Sequence, residues 1–124
     1  MAAGSPGYTG AAALCAQAAV KAGAGLVSLY TPLCSREVLA VKLTEVMVKG
    51  LIERMPGVLG GGAASEVLDA AAQSDVLARG PGLGPPQHTG PFILTLPEHY
   101  QGTPRPRHRP LTARHPHCET APVS

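Results

Sequence analysis

Up to Gly84 the apolar positions fall into short blocks, each closed by glycine, proline or a polar turn. Ala11–Ala22 is alanine-rich, with small side chains on every face. It predicts a helix able to lie close on a sheet, stopped by Gly23. Leu26–Thr31 carries Leu26, Val27, Leu29 and Tyr30 and predicts a buried strand closed by Pro32. A strand so soon after a helix predicts βαβ organisation and a parallel sheet. Ser35 is expected to cap a second helix running through Val38, Leu39 and Val41 to about Leu43, with Glu37 in its first turn. Thr44–Val48 then suggests a short strand. Leu51–Ala64 holds Pro56, Gly57 and Gly60-Gly61-Gly62 and reads as a loop or flap. Ser65 is expected to cap a helix over Glu66–Gln73, and Asp75–Ala78 to form a short buried strand.

After Gly84 the pattern breaks. All five His and nine of the 13 Pro lie beyond it, whereas all three Lys lie before it. Pro recurs too often there for a helix, and Phe92–Leu96 is the one strand-like run. The expected organisation is an α/β region over residues 1–84, with flanking helices on a partial parallel sheet, and a disordered tail over 85–124.

Composition narrows the function classes. The chain has 124 residues, enough for one small domain, with one Phe, three Tyr and no Trp. Its net charge of +2 is too small to argue for nucleic acid. Cys15, Cys34 and Cys118 form no CxxC pair, and Cys15 among alanines fits a buried reduced thiol, which suggests the cytoplasm. Ala11–Leu29 is interrupted by Gln17 and Lys21, contains Gly23 and Gly25 and lacks basic flanks, so a membrane span is not expected. No positive stretch precedes it, which argues against a signal peptide.

Candidate chemistry sits in two glycine-rich turns. Gly4, Gly7 and Gly10 recur at spacing three, with the hydroxyls of Ser5, Tyr8 and Thr9 between them. The first helix begins there, so its unpaired N–H groups face the loop and suit an anion or phosphate. A plain strand-to-helix turn fits the same residues. Gly80-Pro81-Gly82-Leu83-Gly84 follows a predicted strand, where parallel sheets bind ligands.

These blocks resemble the ADP- or ATP-dependent NAD(P)H-hydrate dehydratase family, whose fold is ribokinase-like. The resemblance rests on Gly4-Ser5, Tyr8-Thr9-Gly10-Ala11, Gly23-Ala24-Gly25-Leu26-Val27 and Gly80–Gly84, and it covers most of Gly4–Gly84. Arg79 stands where the family usually has an apolar residue. The resemblance implies removal of water from hydrated NAD(P)H, by phosphoryl transfer from ADP or ATP with Mg²⁺ and then loss of phosphate. It implies Thr9, Gly10, Ala11, Gly82 and Gly84 as substrate-binding residues. Thr44-Glu45-Val46-Met47 resembles a further family segment, with Glu45 either positioning substrate or ending a helix at the surface. The family also suggests homo-oligomers.

The family's later motifs (Asp-Ala-Asp, Thr-Pro-His and Gly-(Thr/Ala)-Gly-Asp) are not found, so no catalytic residue is assigned and no turnover by this chain alone is expected. An edge or central strand is also expected to be missing, or the true start to lie upstream, because Met1–Gly4 is short. A reading-frame shift near Gly84 would account for the tail's composition: Arg107-His108-Arg109 can be encoded so that the next frame reads Val-Ile-Asp. His115, His117 and Cys118 complete no metal set at a recognised spacing, and the tail arginines fit a solvated segment. The alternative reading is a small non-catalytic α/β module that binds a nucleotide or partner, with a basic tail.

Overall fold

A computed structural model of the chain describes residues 1–99 and 119–122. The elements are α1 (Thr9–Lys21), β1 (Ser28–Pro32), α2 (Leu33–Lys42), β2 (Met47–Leu51), β3 (Glu53–Met55), β4 (Val58–Leu59), α3 (Gly62–Ala71), β5 (Val76–Arg79), α4 (Pro86–His99) and β6 (Glu119–Pro122). The fold is mixed α/β with a small parallel sheet, as expected.

Ala2 lies between β1 and β5 and bridges to Tyr30 and Arg79, in parallel with both. The Ala2 and Ala3 N–H groups donate to the carbonyls of Ala78 and Tyr30 at 2.9 and 3.0 Å. Tyr30 and Gly80 donate back to Met1 and Ala2 at 2.8 and 3.0 Å. The expectation of a missing first strand is thereby corrected: Met1–Ala3 itself fills the middle of the sheet. It was too short to show a strand pattern. β1 pairs with β2 in parallel, from Ser28 opposite Met47 to Pro32 opposite Leu51. β5 pairs with β6 antiparallel. The order across the sheet is therefore β2, β1, Met1–Ala3, β5, β6.

Alternate residues of each strand face opposite sides of a sheet. Ala3 and Leu29 join Ala12, Ala16 and Leu39 in the core under α1 and α2. Ala2, Tyr30 and Leu77 join Val67, Ala71, Phe92 and Leu96 in the core under α3 and α4. Small residues at 2, 3, 12 and 16 are what let helices and sheet approach so closely.

Several boundaries differ from expectation. α2 starts at Leu33 directly after Pro32, so Ser35 lies buried inside its first turn and does not cap it. β2 lies three residues beyond the expected strand, at Met47–Leu51. Residues 53–59 form an antiparallel hairpin instead of a plain loop. α3 starts at Gly62, so Ser65 sits within it and its Oγ donates to the Gly62 carbonyl at 2.9 Å.

The largest difference is α4, in a segment expected to hold no helix. Pro85 and Pro86 fall at its start, where a missing N–H costs nothing. Thr89, Phe92 and Leu96 are fully buried, one face at helical spacing. Pro91 and Pro97 each remove one donor, orphaning the carbonyls of Gln87 and Ile93. Gln87 is exposed, where solvent can hydrate a free carbonyl. The Arg79 guanidinium donates to the Ile93 carbonyl. Arg79 thus replaces the bond that Pro97 cannot make. The basic residues at 105, 107, 109 and 114, the inferred frame-shift codons at 107–109 and the candidate ligands His115, His117 and Cys118 lie outside the described residues.

This pairing predicts a coupling. Arg79→Ala should destabilise the chain by roughly 2 kcal/mol, the range for a charge-assisted bond, here to a half-buried acceptor. In a Pro97→Ala background, where residue 97 regains its N–H, the cost should fall by about half. Urea denaturation of the four chains measures this. Equal costs in both backgrounds would contradict the assignment.

Candidate functional site

Met1–Ala3, β1 and β5 are parallel, so their carboxyl ends share one edge of the sheet. Two glycine loops leave from that edge and meet. Gly4 has φ +88°, and a Cβ there would stand 3.0 Å from the Ala12 Cβ and 3.1 Å from Thr31 Oγ1. Its bare backbone lets α1 settle directly over the strand ends. The Gly4 N–H donates to the Pro81 carbonyl at 3.0 Å, tying the first loop to the second. Gly82 has φ +77°, and a Cβ there would stand 2.5 Å from the Tyr8 Cβ. Only glycine lets these two loops touch.

The five candidate residues fall on this edge. Thr9, Gly10 and Ala11 form the first turn of α1; Thr9 and Ala11 are half-buried and Gly10 is exposed. No side chain caps this helix end, and its first turn holds no acidic residue. The orphan N–H groups and the positive end of the helix dipole therefore suit an anion. Gly82 abuts Tyr8, and Gly84, with φ +95°, accepts a hydrogen bond from Thr89 Oγ1 at 3.5 Å. Beneath the first loop, Thr31 Oγ1 is buried, and among the described residues it has no hydrogen-bond partner.

Sequence reasoning missed Glu53. Its carboxylate accepts from the Cys34 N–H at 2.6 Å and from the Gly57 N–H at 3.0 Å. α2 has Pro32 at its N-cap position and no cap of its own. Glu53 therefore caps α2 from a distant strand and holds the hairpin tip in the same grip. Burial alone would raise the Glu53 pKa, but the bonds from Cys34 and Gly57 outweigh it and the net shift is downward. Burial and the Glu53 carboxylate push the Cys34 thiol up, so this exposed cysteine is a poor nucleophile at neutral pH. A Cβ on Gly57 would meet Pro6 at 2.6 Å, so the hairpin tip closes against the glycine loop. Met55-Pro56-Gly57-Val58 is a turn signal between apolar residues and could have revealed the hairpin.

Glu45 lies elsewhere. It precedes β2 and so sits at the amino end of the sheet, in a shallow groove with Gln17, Lys21 and Leu43. That groove is remote from both glycine loops. Cys15 is half-buried on α1. Among the described residues no helix is long and apolar enough to cross a membrane.

A profile of the family described as NAD(P)H-hydrate dehydratase matches residues 1–102. The chain belongs to the NAD(P)H-hydrate dehydratase family. The match runs past Gly84 and takes in α4. The chain is 50% identical over 80 residues to the bifunctional NAD(P)H-hydrate repair enzyme Nnr of Moorella thermoacetica, covering 64% of this chain and 15% of that protein. It is 37% identical over 94 residues to the Nnr enzyme of Thermofilum pendens, covering 76% of this chain and 18% of that protein. The chain thus spans less than a fifth of the length of these curated relatives.

Two substitutions test how the glycine loops and the hairpin are held. Gly82→Ala should destabilise the chain by roughly 1–2 kcal/mol through its left-handed backbone alone, with the Tyr8 contact adding to that. Glu53→Ala should cost about 1 kcal/mol, as for loss of a helix cap. The Glu53 contribution is present above its unfolded pKa of about 4.5 and is lost as pH falls through the lowered folded value. Denaturation at pH 7 and pH 3 measures both; an Glu53→Ala cost unchanged at pH 3 would contradict the capping role.

Proposed function

We propose that this chain is the amino-terminal part of an ADP- or ATP-dependent NAD(P)H-hydrate dehydratase and forms the cleft wall that faces the hydrated nicotinamide. The observation that supports this best is the meeting of Tyr8 with Gly82, which brings the uncapped first turn of α1 beside the second glycine loop. Thr9, Gly10 and Ala11 would offer N–H groups to the substrate, and Gly82 and Gly84 would approach it by backbone. The activity for which these relatives are named, NAD(P)H-hydrate repair, points the same way.

Phosphoryl transfer to the substrate hydroxyl needs a nucleotide clamp, a divalent cation and a base. Among the described residues no three His, Cys, Asp or Glu groups stand together to hold a metal ion. The residues of the two glycine loops would supply backbone N–H groups instead. Their part is to bind and orient. A cytoplasmic location and homo-oligomers belong to the same family reading.

The purified chain, given ATP, Mg²⁺ and NADHX, should form no NADH by absorbance; turnover would refute the reading of this chain as a binding part alone. Hydrated NADPH should shift the amide resonances of residues 9–12 and 82–84. Ala11→Asp should weaken that binding at least about tenfold by repelling an anion, while leaving the helix as stable or slightly more so. Shifts confined to the Gln17–Glu45 groove would overturn the placement of the cleft.

A further inference from the structure

The Glu53 carboxylate divides its two oxygens between two segments. Oε1 accepts from the Cys34 N–H in the first turn of α2, and Oε2 accepts from the Gly57 N–H at the hairpin tip. Gly57 is buried with φ +78°, and a Cβ there would stand 2.6 Å from the Pro6 Cδ, so its backbone packs on the proline ring. Pro6 and Gly7 form the corner of a turn closed by the Tyr8 N–H on the Ser5 carbonyl at 2.9 Å. Proline followed by a glycine with φ +85° is the type II pattern. Tyr8 stands at the N-cap position of α1 and meets Gly82. This one turn therefore sets where the N–H groups of Thr9, Gly10 and Ala11 stand. It is exposed from Pro6 to Tyr8; Gly57 supports it at Pro6 and Gly82 at Tyr8.

We propose that Glu53 is a positioning residue for the cleft: its grip on Cys34 and Gly57 holds the hairpin tip against Pro6 and so fixes the turn that presents the first N–H groups of α1. The inference rests on the reading of Thr9, Gly10 and Ala11 as substrate-binding residues. Glu53 acts through Gly57 and Pro6 and does not touch the substrate. The hairpin needs this grip, because two such short strands with a shifted register hold each other weakly. α2 is a firm anchor, since Leu39 packs in the core with Ala12 and Ala16 of α1. Backbone donors cannot swing toward a ligand. A turn that samples other arrangements therefore lowers the apparent affinity by the fraction of time it is misplaced.

The test uses the full chain with Glu53→Gln, which keeps the side-chain length but has one carbonyl oxygen for two N–H groups. Amide exchange at Gly57 and Tyr8 should quicken about fivefold, while Tyr30 in the central sheet keeps its protection. Hydrated NADPH, followed by the amide resonances of residues 9–12, should bind about fivefold more weakly. Pro6→Ala removes the ring on which Gly57 packs. In that background Glu53→Gln should quicken Gly57 as before but change neither Tyr8 exchange nor binding any further. Faster exchange at Gly57 with Tyr8 and binding unchanged would overturn the proposal. Equal quickening at Tyr30 would also overturn it, because Glu53 would then serve global stability alone, and so would a loss of binding that persists in full beside Pro6→Ala. If the unsubstituted chain bound no hydrated NADPH, the substrate reading would fall, and exchange at Tyr8 would still decide whether Glu53 holds the turn.

Discussion

The backbone bonds that Met1–Ala3 makes to β1 on one side and β5 on the other are the constraint on which the rest depends. Without that stretch the β1–β2 pair and β5 share no ladder. Both cores run through it as well: Ala2 faces α3 and α4, and Ala3 faces α1 and α2. Each alanine is fully buried. A larger side chain at either place would push a helix layer off the sheet, because close-packed cores tolerate overfilling poorly.

The candidate cleft inherits its shape from the same strand. Gly4 leaves its end, turns with positive φ under Ala12 and bonds to Pro81 of the second glycine loop. Tyr8 and Gly82 then touch because both loops leave neighbouring parallel strands at one edge. The hairpin tip at Gly57, gripped by Glu53, closes against Pro6 from the third side. A site of backbone N–H groups needs this rigidity, since such donors cannot reach for a ligand as side chains can.

Local patterns made much of this readable. The alanine run, the Gly23 stop and the apolar block ending at Pro32 specified α1 and β1 to within a few residues. The two glycine loops carried the family likeness. What stayed hidden depended on partners distant in sequence. Glu53 caps a helix that begins some twenty residues earlier in the chain, and no local pattern announces that. α4 was hidden by its prolines: the Thr89, Phe92, Leu96 stripe is helical, but Pro97 forbids a bond that only Arg79, on β5, restores. Ala2 and Ala3 give no strand pattern, because two adjacent buried alanines show no apolar–polar alternation.

The central claim is that Met1–Ala3 joins the two parts of the sheet. Hydrogen exchange of the Ala3, Tyr30 and Gly80 amides in the unsubstituted chain tests it most directly, since each donates across that junction. The account predicts slow exchange at all three with closely similar protection, released by one opening event. Exchange of Tyr30 and Gly80 as fast as exposed loop amides would contradict it.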